Sequence, residues 1–197
     1  MDKNLIVCLL LAFPPTSCVI YGQKFIATAV VGLNAAQIDG DSLYGFKKAG
    51  IHVGGRVSYI NNKSFDLALE MLYSQRGSSR LFSNNKPADL ISANYVEFPL
   101  VINLRDWYIQ DKQFFKIRAE LGLSYGYLVG IKSEKYDVNR FNKHDVSWLL
   151  GCGMRFTPFW GLGLRYTTSF SNMYKDQAAA IEKFKSYFLT FRSEFYF

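Results

Sequence analysis

The sequence predicts an all-β fold, an eight-stranded antiparallel up-and-down transmembrane β-barrel, and three observations lead to this prediction. Eight segments show the apolar–polar alternation with a period of two that is typical of β-strands. The connections between them are alternately short and long, as in outer-membrane barrels. The last segment ends on an aromatic residue, Phe197, at the final position of the chain.

The first four predicted strands lie near residues 25–35, 50–60, 64–77 and 92–104. The third alternates most clearly, because Leu69 and Met71 share one face while Asp66 and Glu70 share the other. The second alternates less cleanly and the first is weak. The fourth contains Pro99, which cannot donate a ladder hydrogen bond. Most of the predicted strands are about as long as a tilted strand that crosses a bilayer.

The other four predicted strands lie near residues 114–129, 145–156, 160–172 and 186–197. In the fifth, Leu121 and Leu123 oppose Arg118 and Glu120, and the sixth and seventh alternate in the same way. The eighth is predicted to be the C-terminal membrane-insertion strand. Its aromatic face includes Phe191, Phe195 and Phe197.

Connection lengths predict how the barrel is oriented in the membrane. Short connections are expected at 61–63, 105–113 and 157–159, and long polar loops at 36–49, 78–91, 130–144 and 173–185. In outer-membrane barrels the short turns lie on the periplasmic side and the long loops lie outside. An even number of strands then places both ends of the barrel on the periplasmic side.

The polar faces of the strands predict what fills the barrel. They carry arginines and carboxylates among glycines and serines, with few of the lysines expected on a soluble surface. An eight-stranded barrel has an interior just wide enough for side chains, and buried charges need partners. We therefore expect apolar faces toward lipid and a lumen plugged by a charge network. The predicted network is Arg56, Asp66, Glu70, Glu97, Arg118, Glu120, Arg155, Arg165, Arg192 and Glu194.

The N-terminus is predicted to be a secretory signal. A basic residue, a short apolar core and Gly22 at the expected cleavage point indicate a signal peptide at 1–22 and a barrel domain at 23–197. Two alternatives stay open: a lipoprotein signal with Cys18 as the lipidated residue, and an uncleaved anchor. After cleavage Cys152 would be the remaining cysteine, so an intramolecular disulfide is not expected.

Composition and motifs argue against several kinds of function. The formal net charge is +7, but 17% aromatic residues in an exported chain favour a membrane surface over nucleic acid as partner. The two histidines, His52 and His144, are too few for a zinc site built mainly from imidazole, and no metal or cofactor is expected. His144, Asp145 and Ser147 are the types found in hydrolases, but neighbours in a strand point to opposite faces, so no catalytic residue is predicted.

Several stretches resemble the PorT-like outer-membrane β-barrel family of Bacteroidota. They include Val31-Gly-Leu-Asn34, Leu67-Ala-Leu-Glu70, Tyr95-Val-Glu-Phe-Pro99 and Leu164-Arg-Tyr166, in the family's order. The resemblance implies an eight-stranded barrel in the outer membrane of a Gram-negative bacterium. The namesake of the family is implicated in export by the type IX secretion system. The resemblance carries no catalytic residue over to this chain.

The leading functional hypothesis is a non-enzymatic structural or accessory role in the envelope, which includes secretion. The expected partners are outer-membrane lipid, the barrel-insertion machinery, and secretion or envelope proteins. Three alternatives remain open: a narrow solute channel, an outer-leaflet lipid-modifying enzyme, and a soluble periplasmic ligand carrier with the apolar face inside.

Overall fold

The computed structural model describes residues 25–39, 48–60, 64–78, 91–133, 138–171 and 185–197. The predicted signal peptide, the turn at 61–63 and most of the predicted long-loop residues lie outside these ranges. The residues within these ranges form eight strands: β1 (Phe25–Asp39), β2 (Lys48–Ile60), β3 (Phe65–Ser78), β4 (Ile91–Ile109), β5 (Phe114–Ser133), β6 (His144–Arg155), β7 (Trp160–Ser169) and β8 (Lys185–Tyr196).

The strands form one closed barrel in chain order, which confirms the predicted fold class. Every strand pairs antiparallel with its neighbours, and β1 closes the barrel by pairing with β8 from Thr28↔Tyr196 to Asp39↔Lys185. The pattern of β1 is weak in sequence because its lumen face carries Val30 and Ala36 beside its polar residues. None of the described residues forms a helix long and apolar enough to cross a membrane.

Strand β4 runs five residues beyond its predicted end at 104. Its pairing with β5 continues through Asp106↔Ile117 and Tyr108↔Phe115, so these two strands form a hairpin that extends past the start of β3. Trp107 has φ 58° within this extension, an unusual value for a bulky residue. That irregular backbone explains why alternation in the sequence stops before the strand does.

Pro99 interrupts the pairing of β3 with β4 without changing its register. The ladder includes Leu69↔Leu100 and Leu72↔Glu97 but has no pairs for the residues between them. Proline lacks the N–H that the ladder needs, so the interruption is local. The strand continues on both sides because it also pairs with β5, where Pro99 lies opposite Ser124.

The short connection between β6 and β7 spans 156–159. The backbone N–H groups of Phe156 and Thr157 donate to the carbonyl of Trp160, and the Trp160 N–H donates to the Thr157 hydroxyl at 3.0 Å. Phe25 and Phe197 lie at this same end of the barrel, because β1 begins and β8 ends there. This end, where the short turns lie, is therefore the one predicted to face the periplasm.

The barrel is polar inside and apolar outside. Large apolar side chains such as Leu121, Leu123 and Phe191 are exposed on the outer wall, whereas Arg165 and Arg192 are buried in the lumen. A soluble carrier would need the reverse arrangement, so the structure does not fit that alternative. An apolar outer wall is what a bilayer requires of a spanning barrel.

Candidate functional site

A group of paired charges fills the middle of the lumen. Strands β2, β3, β5, β7 and β8 each contribute to it, because every second side chain of a strand points inward. Residues far apart in the chain therefore meet at the barrel axis. We call this group the central cluster, and its members are Arg56, Glu70, Arg118, Glu120, Arg165, Arg192 and Glu194.

Arg165 bridges two carboxylates of the central cluster. Its Nη1 and Nη2 atoms donate to the two oxygens of Glu70 at 2.7 and 2.9 Å, and its Nε donates to Glu120 Oε1 at 2.8 Å. The flat, forked guanidinium suits such two-pronged binding, and each bond is strengthened by the opposite charges. All three side chains are buried, so water screens these ion pairs little.

Arg192 and Arg118 connect the carboxylate of Glu194 to that of Glu120. Arg192 Nη2 contacts Glu120 Oε2 at 2.8 Å, and its Nε contacts Glu194 Oε1 at 2.8 Å. Arg118 donates to both oxygens of Glu194 at 2.7 Å. The cluster is thus continuous, and no single strand could be displaced without breaking ion pairs to others.

Arg56 joins the central cluster to the short-turn end of the lumen. Its Nη2 donates to Asn103 Oδ1 at 2.6 Å, and the Asn103 amide donates in turn to Asp66. Asp66 also pairs with Arg105 Nε at 3.1 Å. Charge patterning in the sequence could not single out Asn103, which is neutral, and Arg105 was missed because β4 was predicted to end one residue before it.

A second group of charges lies nearer the long-loop end of the lumen. We call Arg76, Glu97 and Asp145 the outer cluster. Arg76 pairs with Glu97 at 2.8 Å and with Asp145 at 2.6 Å, and its guanidinium lies between the rings of Tyr95 and Phe188, 4.7 and 4.3 Å from their centroids. Of the three, the predicted charge network contained Glu97 alone. Arg76 has the same parity as Glu70 in β3, a signal that could have found it.

An apolar cap lies at the long-loop end of the lumen, next to the outer cluster. Its buried side chains come from the loop ends of β4 and β5 and from the segment that precedes β6, and they pack against one another. The cap consists of Ile91, Ala93, Tyr95, Leu128 and Phe141. These packed side chains line the β4–β5 side of the lumen at its long-loop end.

The structure joins all the predicted network residues except Arg155 in ion pairs. Arg155 donates to the carbonyl of Pro158, and its guanidinium stacks on Tyr196 at 3.9 Å from the ring centroid. Among the described residues it has no carboxylate partner. The prediction that Arg155 belongs to the charge network was therefore wrong, because it ends β6 beside the turn, where aromatic rings surround it. In the part of the chain that the structure describes, the lumen ion pairs contain six arginines and six carboxylates.

Glycines provide the space for these long side chains. A Cβ atom at Gly151 would lie 2.5 Å from Glu120 Oε1, and one at Gly153 would lie 2.7 Å from Arg118 Nη2. At Gly163 it would lie 3.3 Å from Arg192. The lumen at this level is therefore packed so closely that strands β6 and β7 can carry no side chain there.

The arrangement offers no catalytic constellation from the residues that the sequence suggested. His144 is exposed, and its Nδ1 lies 2.6 Å from the hydroxyl of Tyr125 on the outer wall. Asp145 and Ser147 are buried on the lumen side of the same strand, so the three do not converge. Within the described ranges, no group of three or more His, Cys, Asp or Glu side chains is placed to hold a metal ion.

The aromatic residues of β8 lie on the outer wall. Phe191, Phe195 and Phe197 are all exposed, on the face opposite Arg192 and Glu194. The backbone N–H of Phe197 donates to the carbonyl of Ala27 at 3.0 Å, so β1 holds the last residue in place. The geometry therefore presents these rings outward at the barrel seam.

Residues 23–175 match the family described as the outer membrane protein beta-barrel domain. The chain belongs to this family. Together with the apolar outer wall, membership identifies an outer-membrane β-barrel protein, which confirms the predicted location. The match extends over most of the chain and includes the residues of the central cluster from β2 to β7. It is broader than the predicted PorT-like subgroup.

Similar solved structures include Neisserial surface protein A, with 12% sequence identity and a TM-score of 0.51, covering 89% of this chain and 98% of that one. Ail, the attachment invasion locus protein of Yersinia pestis, has 11% identity and a TM-score of 0.48, covering 89% and 100%. OprG from Pseudomonas aeruginosa has 11% identity and a TM-score of 0.44, covering 88% and 94%. No curated protein sequence matches this chain. At such identities the likeness concerns the fold alone.

Proposed function

We propose that this outer-membrane barrel is a non-enzymatic, non-conducting scaffold with a structural or accessory role in the envelope. The single observation that carries the proposal is the plugged lumen, in which the central cluster crosses the barrel from wall to wall. A rigid barrel closed by its own side chains has no path for solute. Its remaining surfaces are the outer wall, the loops and the periplasmic turns, which suit attachment to lipid or to other proteins.

Two features argue against the alternative of a narrow channel. The central cluster holds Arg165 and Arg192 by charge-assisted hydrogen bonds of 2.7–2.9 Å, so these side chains do not swing aside easily. The apolar cap adds packed apolar side chains to the lumen near the long loops, where an ion gains little favourable contact. A permeating ion would have to displace the central cluster.

The resemblance to the PorT-like family of Bacteroidota supports a more specific proposal, a role in protein secretion. In this role the barrel would anchor other envelope proteins through its loops or turns. The proposal is independent of any chemistry in the lumen, since a scaffold needs only a fixed position in the membrane.

Planar-bilayer recording tests the absence of conduction. Protein refolded in detergent and inserted into the bilayer should give no discrete conductance steps, while an open porin inserted in parallel shows that steps are detectable. Reproducible steps from the folded protein would overturn the non-conducting assignment.

Release of fatty acid tests the absence of enzymatic activity. Outer-leaflet lipid incubated with the refolded protein should remain intact. Fatty-acid release that persists in purified wild-type protein and is lost in His144→Ala would show that the barrel is a lipid hydrolase.

Site-specific photo-crosslinking in native cells tests the accessory role. A photoreactive residue at Val138, which is exposed at the long-loop end, should capture a specific protein, whereas one at Leu121 on the outer wall should capture lipid. A second position at Asp111, in the turn between β4 and β5, probes the periplasmic end. Crosslinks to no protein at either end would contradict the scaffold role.

A further inference from the structure

A small cavity of about 30 Å³ lies at the short-turn end of the lumen. We call it the mouth pocket. It lies beside the hairpin of β4 and β5 and borders the central cluster, because Arg56 and Arg118 belong to both. The residues of its lining that matter here are Arg56, Lys116, Arg118, Arg155, Asp66 and Tyr196.

The mouth pocket has more positive than negative charge. Arg56 and Arg118 face carboxylates of the central cluster, and Asp66 is already paired with Arg105. Among the described residues, neither Arg155 nor Lys116 has a carboxylate within ion-pair distance. Lys116 instead lies 4.3 Å from the ring centroid of Trp107. Two cations therefore border the pocket without a counter-charge from the described part of the protein.

The charge distribution along the lumen differs between its two ends. In the outer cluster one arginine faces two carboxylates, Glu97 and Asp145. In the central cluster four arginines face three glutamates. Including the two unpaired cations of the mouth, the excess of positive charge increases toward the periplasmic end. A fixed positive potential in a narrow, partly desolvated cavity attracts anions strongly.

Several buried donor atoms of the lining residues make no hydrogen bond within the described ranges. They include the Nε atom of Arg155, the Nε atom of Arg118 and the Nη1 atom of Arg56. Arg118 Nε has a long ion-pair contact of 3.4 Å with Glu120, and Arg56 Nη1 has one of 3.6 Å with Glu194. Arg155 Nε has no such carboxylate contact among the described residues, so an oxygen-rich anion in the pocket would supply it with an acceptor.

Solvent reaches this end of the lumen but not its middle. The side chains of Arg105 and Arg118 are 12% and 10% exposed, whereas that of Arg192 is fully buried. The enclosed space holds one or two water molecules, so it admits the inner oxygens of an oxyanion, while the rest of the group would lie in the opening. Access is from the side on which the short turns lie.

We propose that the mouth pocket binds one phosphate-type oxyanion from the periplasmic side. Guanidinium groups recognise such an oxyanion by paired hydrogen bonds, and Lys116 adds a charge at the entrance. The anion is either free phosphate or the headgroup phosphate of an inner-leaflet phospholipid. This inference goes beyond the proposed scaffold function and does not depend on it.

Calorimetric titration of the refolded full chain in non-ionic detergent tests the proposal. The probes are inorganic phosphate and phosphatidylglycerol in mixed micelles, with ionic strength held constant by chloride. Wild-type protein should bind phosphate saturably. The double variant Lys116→Gln/Arg155→Gln should bind it about tenfold more weakly or worse, because it loses the two unpaired cations.

The matched control is Lys132→Gln/Lys185→Gln, which removes the same charge from exposed positions at the long-loop end. It should change the affinity by less than about twofold, since distant exposed charges are screened. If inorganic phosphate and phosphatidylglycerol both bind and each displaces the other, the phosphate group itself is the ligand. Binding of phosphatidylglycerol alone, lost in the mouth variant, identifies the lipid headgroup.

Two results would overturn the proposal: binding of neither probe to the wild type, or equal binding by the mouth variant and the control. If the mouth variant does not fold, NMR of the wild-type protein tests the proposal without it. The Nε–H resonance of Arg155 should shift on addition of phosphate but not of chloride. An unmoved Arg155 resonance at saturating phosphate would exclude the mouth pocket as the site.

Discussion

Single charged side chains determine how tightly the lumen is held together. A carboxylate or guanidinium removed from water costs several kcal/mol unless partners compensate it. Glu70 meets this requirement by accepting two hydrogen bonds from Arg165 and lying 3.4 Å from both Arg56 and Arg192. One glutamate thus compensates parts of three positive charges.

Glu70→Gln should strongly destabilise the barrel. The change leaves Arg165, Arg192 and Arg56 buried with one negative charge fewer, and removing one partner of a buried pair typically costs about 3–5 kcal/mol. Urea titration of the protein in detergent micelles measures the free energy of unfolding. Asp111→Asn is the control, because Asp111 is exposed in the β4–β5 turn and should be neutral within about 0.5 kcal/mol. Equal stability of both variants would mean that the cluster does not stabilise the barrel.

The space around a glycine differs between the lumen, where side chains are closely packed, and the outer wall, where a Cβ atom would be free of contacts. A Cβ at Gly151 would lie 2.5 Å from Glu120 Oε1 and 2.8 Å from the Leu164 carbonyl, and Glu120 cannot move because two arginines hold it. Gly151→Ala should therefore cost about 1–3 kcal/mol in the free energy of unfolding.

Gly55→Ala is the matched control, since a Cβ there would have no heavy atom within 4 Å. It should be neutral or stabilise by up to about 1 kcal/mol, because alanine restricts the unfolded chain. The same urea titration compares the two variants. A cost at Gly55 equal to that at Gly151 would contradict the close packing of the lumen.

Much of this residue-scale arrangement was predictable from parity alone. Glu70, Glu120 and Glu194 occupy inward positions of strands whose alternation is clear in sequence. The partner of each was not predictable, because alternation states which face a side chain occupies but not which residue lies across the lumen. Asn103 shows the limit, since a neutral amide joins Arg56 to Asp66 without any charge signal.

At the scale of elements, the two faces of strand β8 have different surroundings: one faces the charged lumen and the other faces outward. Arg192 and Glu194 complete the central cluster inside, while Phe191 and Phe195 are exposed outside. Phe197 follows the strand and is 81% exposed. A ring this exposed contributes little packing to the folded barrel. We therefore hypothesise that the barrel-insertion machinery recognises Phe197.

Phe197→Ser should lower the amount of folded protein in the outer membrane while scarcely changing the unfolding free energy of refolded protein. Heat-modifiable migration in gels measures the amount of folded protein in the outer membrane. Urea titration measures the free energy of unfolding of the refolded protein. Phe159→Ser is the control, because Phe159 is 71% exposed at the same end of the barrel but lies in a turn. If both variants accumulate equally, the terminal aromatic residue is not an assembly signal.

The hairpin of β4 and β5 shows that alternation in the sequence does not always predict where a strand ends. The predicted end of β4 at 104 rested on loss of alternation, yet its pairing with β5 continues to Ile109↔Phe114. Cross-strand hydrogen bonds do not require alternation beyond the bilayer, where neither face has to be apolar. The extension brings Arg105 to Asp66 and forms one side of the mouth pocket.

At the scale of the whole molecule, the polarity of the barrel can be tested at one cysteine. Cys152 is exposed on the outer wall, opposite Ala119 of β5 and Leu164 of β7. In lipid vesicles an apolar maleimide should therefore reach Cys152, while a charged maleimide should not. Mass spectrometry of protein in which serine replaces Cys8 and Cys18 measures the labelling.

The control places a cysteine in water. Asp111→Cys in a Cys152→Ser background lies in the exposed β4–β5 turn and should react with both reagents when the vesicles are permeabilised. Rapid reaction of Cys152 with the charged reagent in vesicles would contradict a lipid-facing wall. In detergent both reagents gain access, which shows that the thiol itself is reactive.

The sequence by itself determined the number of strands, their alternation and the inward position of most charges. These properties are local, since each depends on neighbours one or two residues away and on connection length. Only the tertiary structure decided which charges pair, that Arg155 stacks on a ring instead of joining a carboxylate, and where the cap and the mouth pocket lie. Those outcomes depend on barrel closure, because closure sets the register by which strands on opposite walls present their side chains to each other.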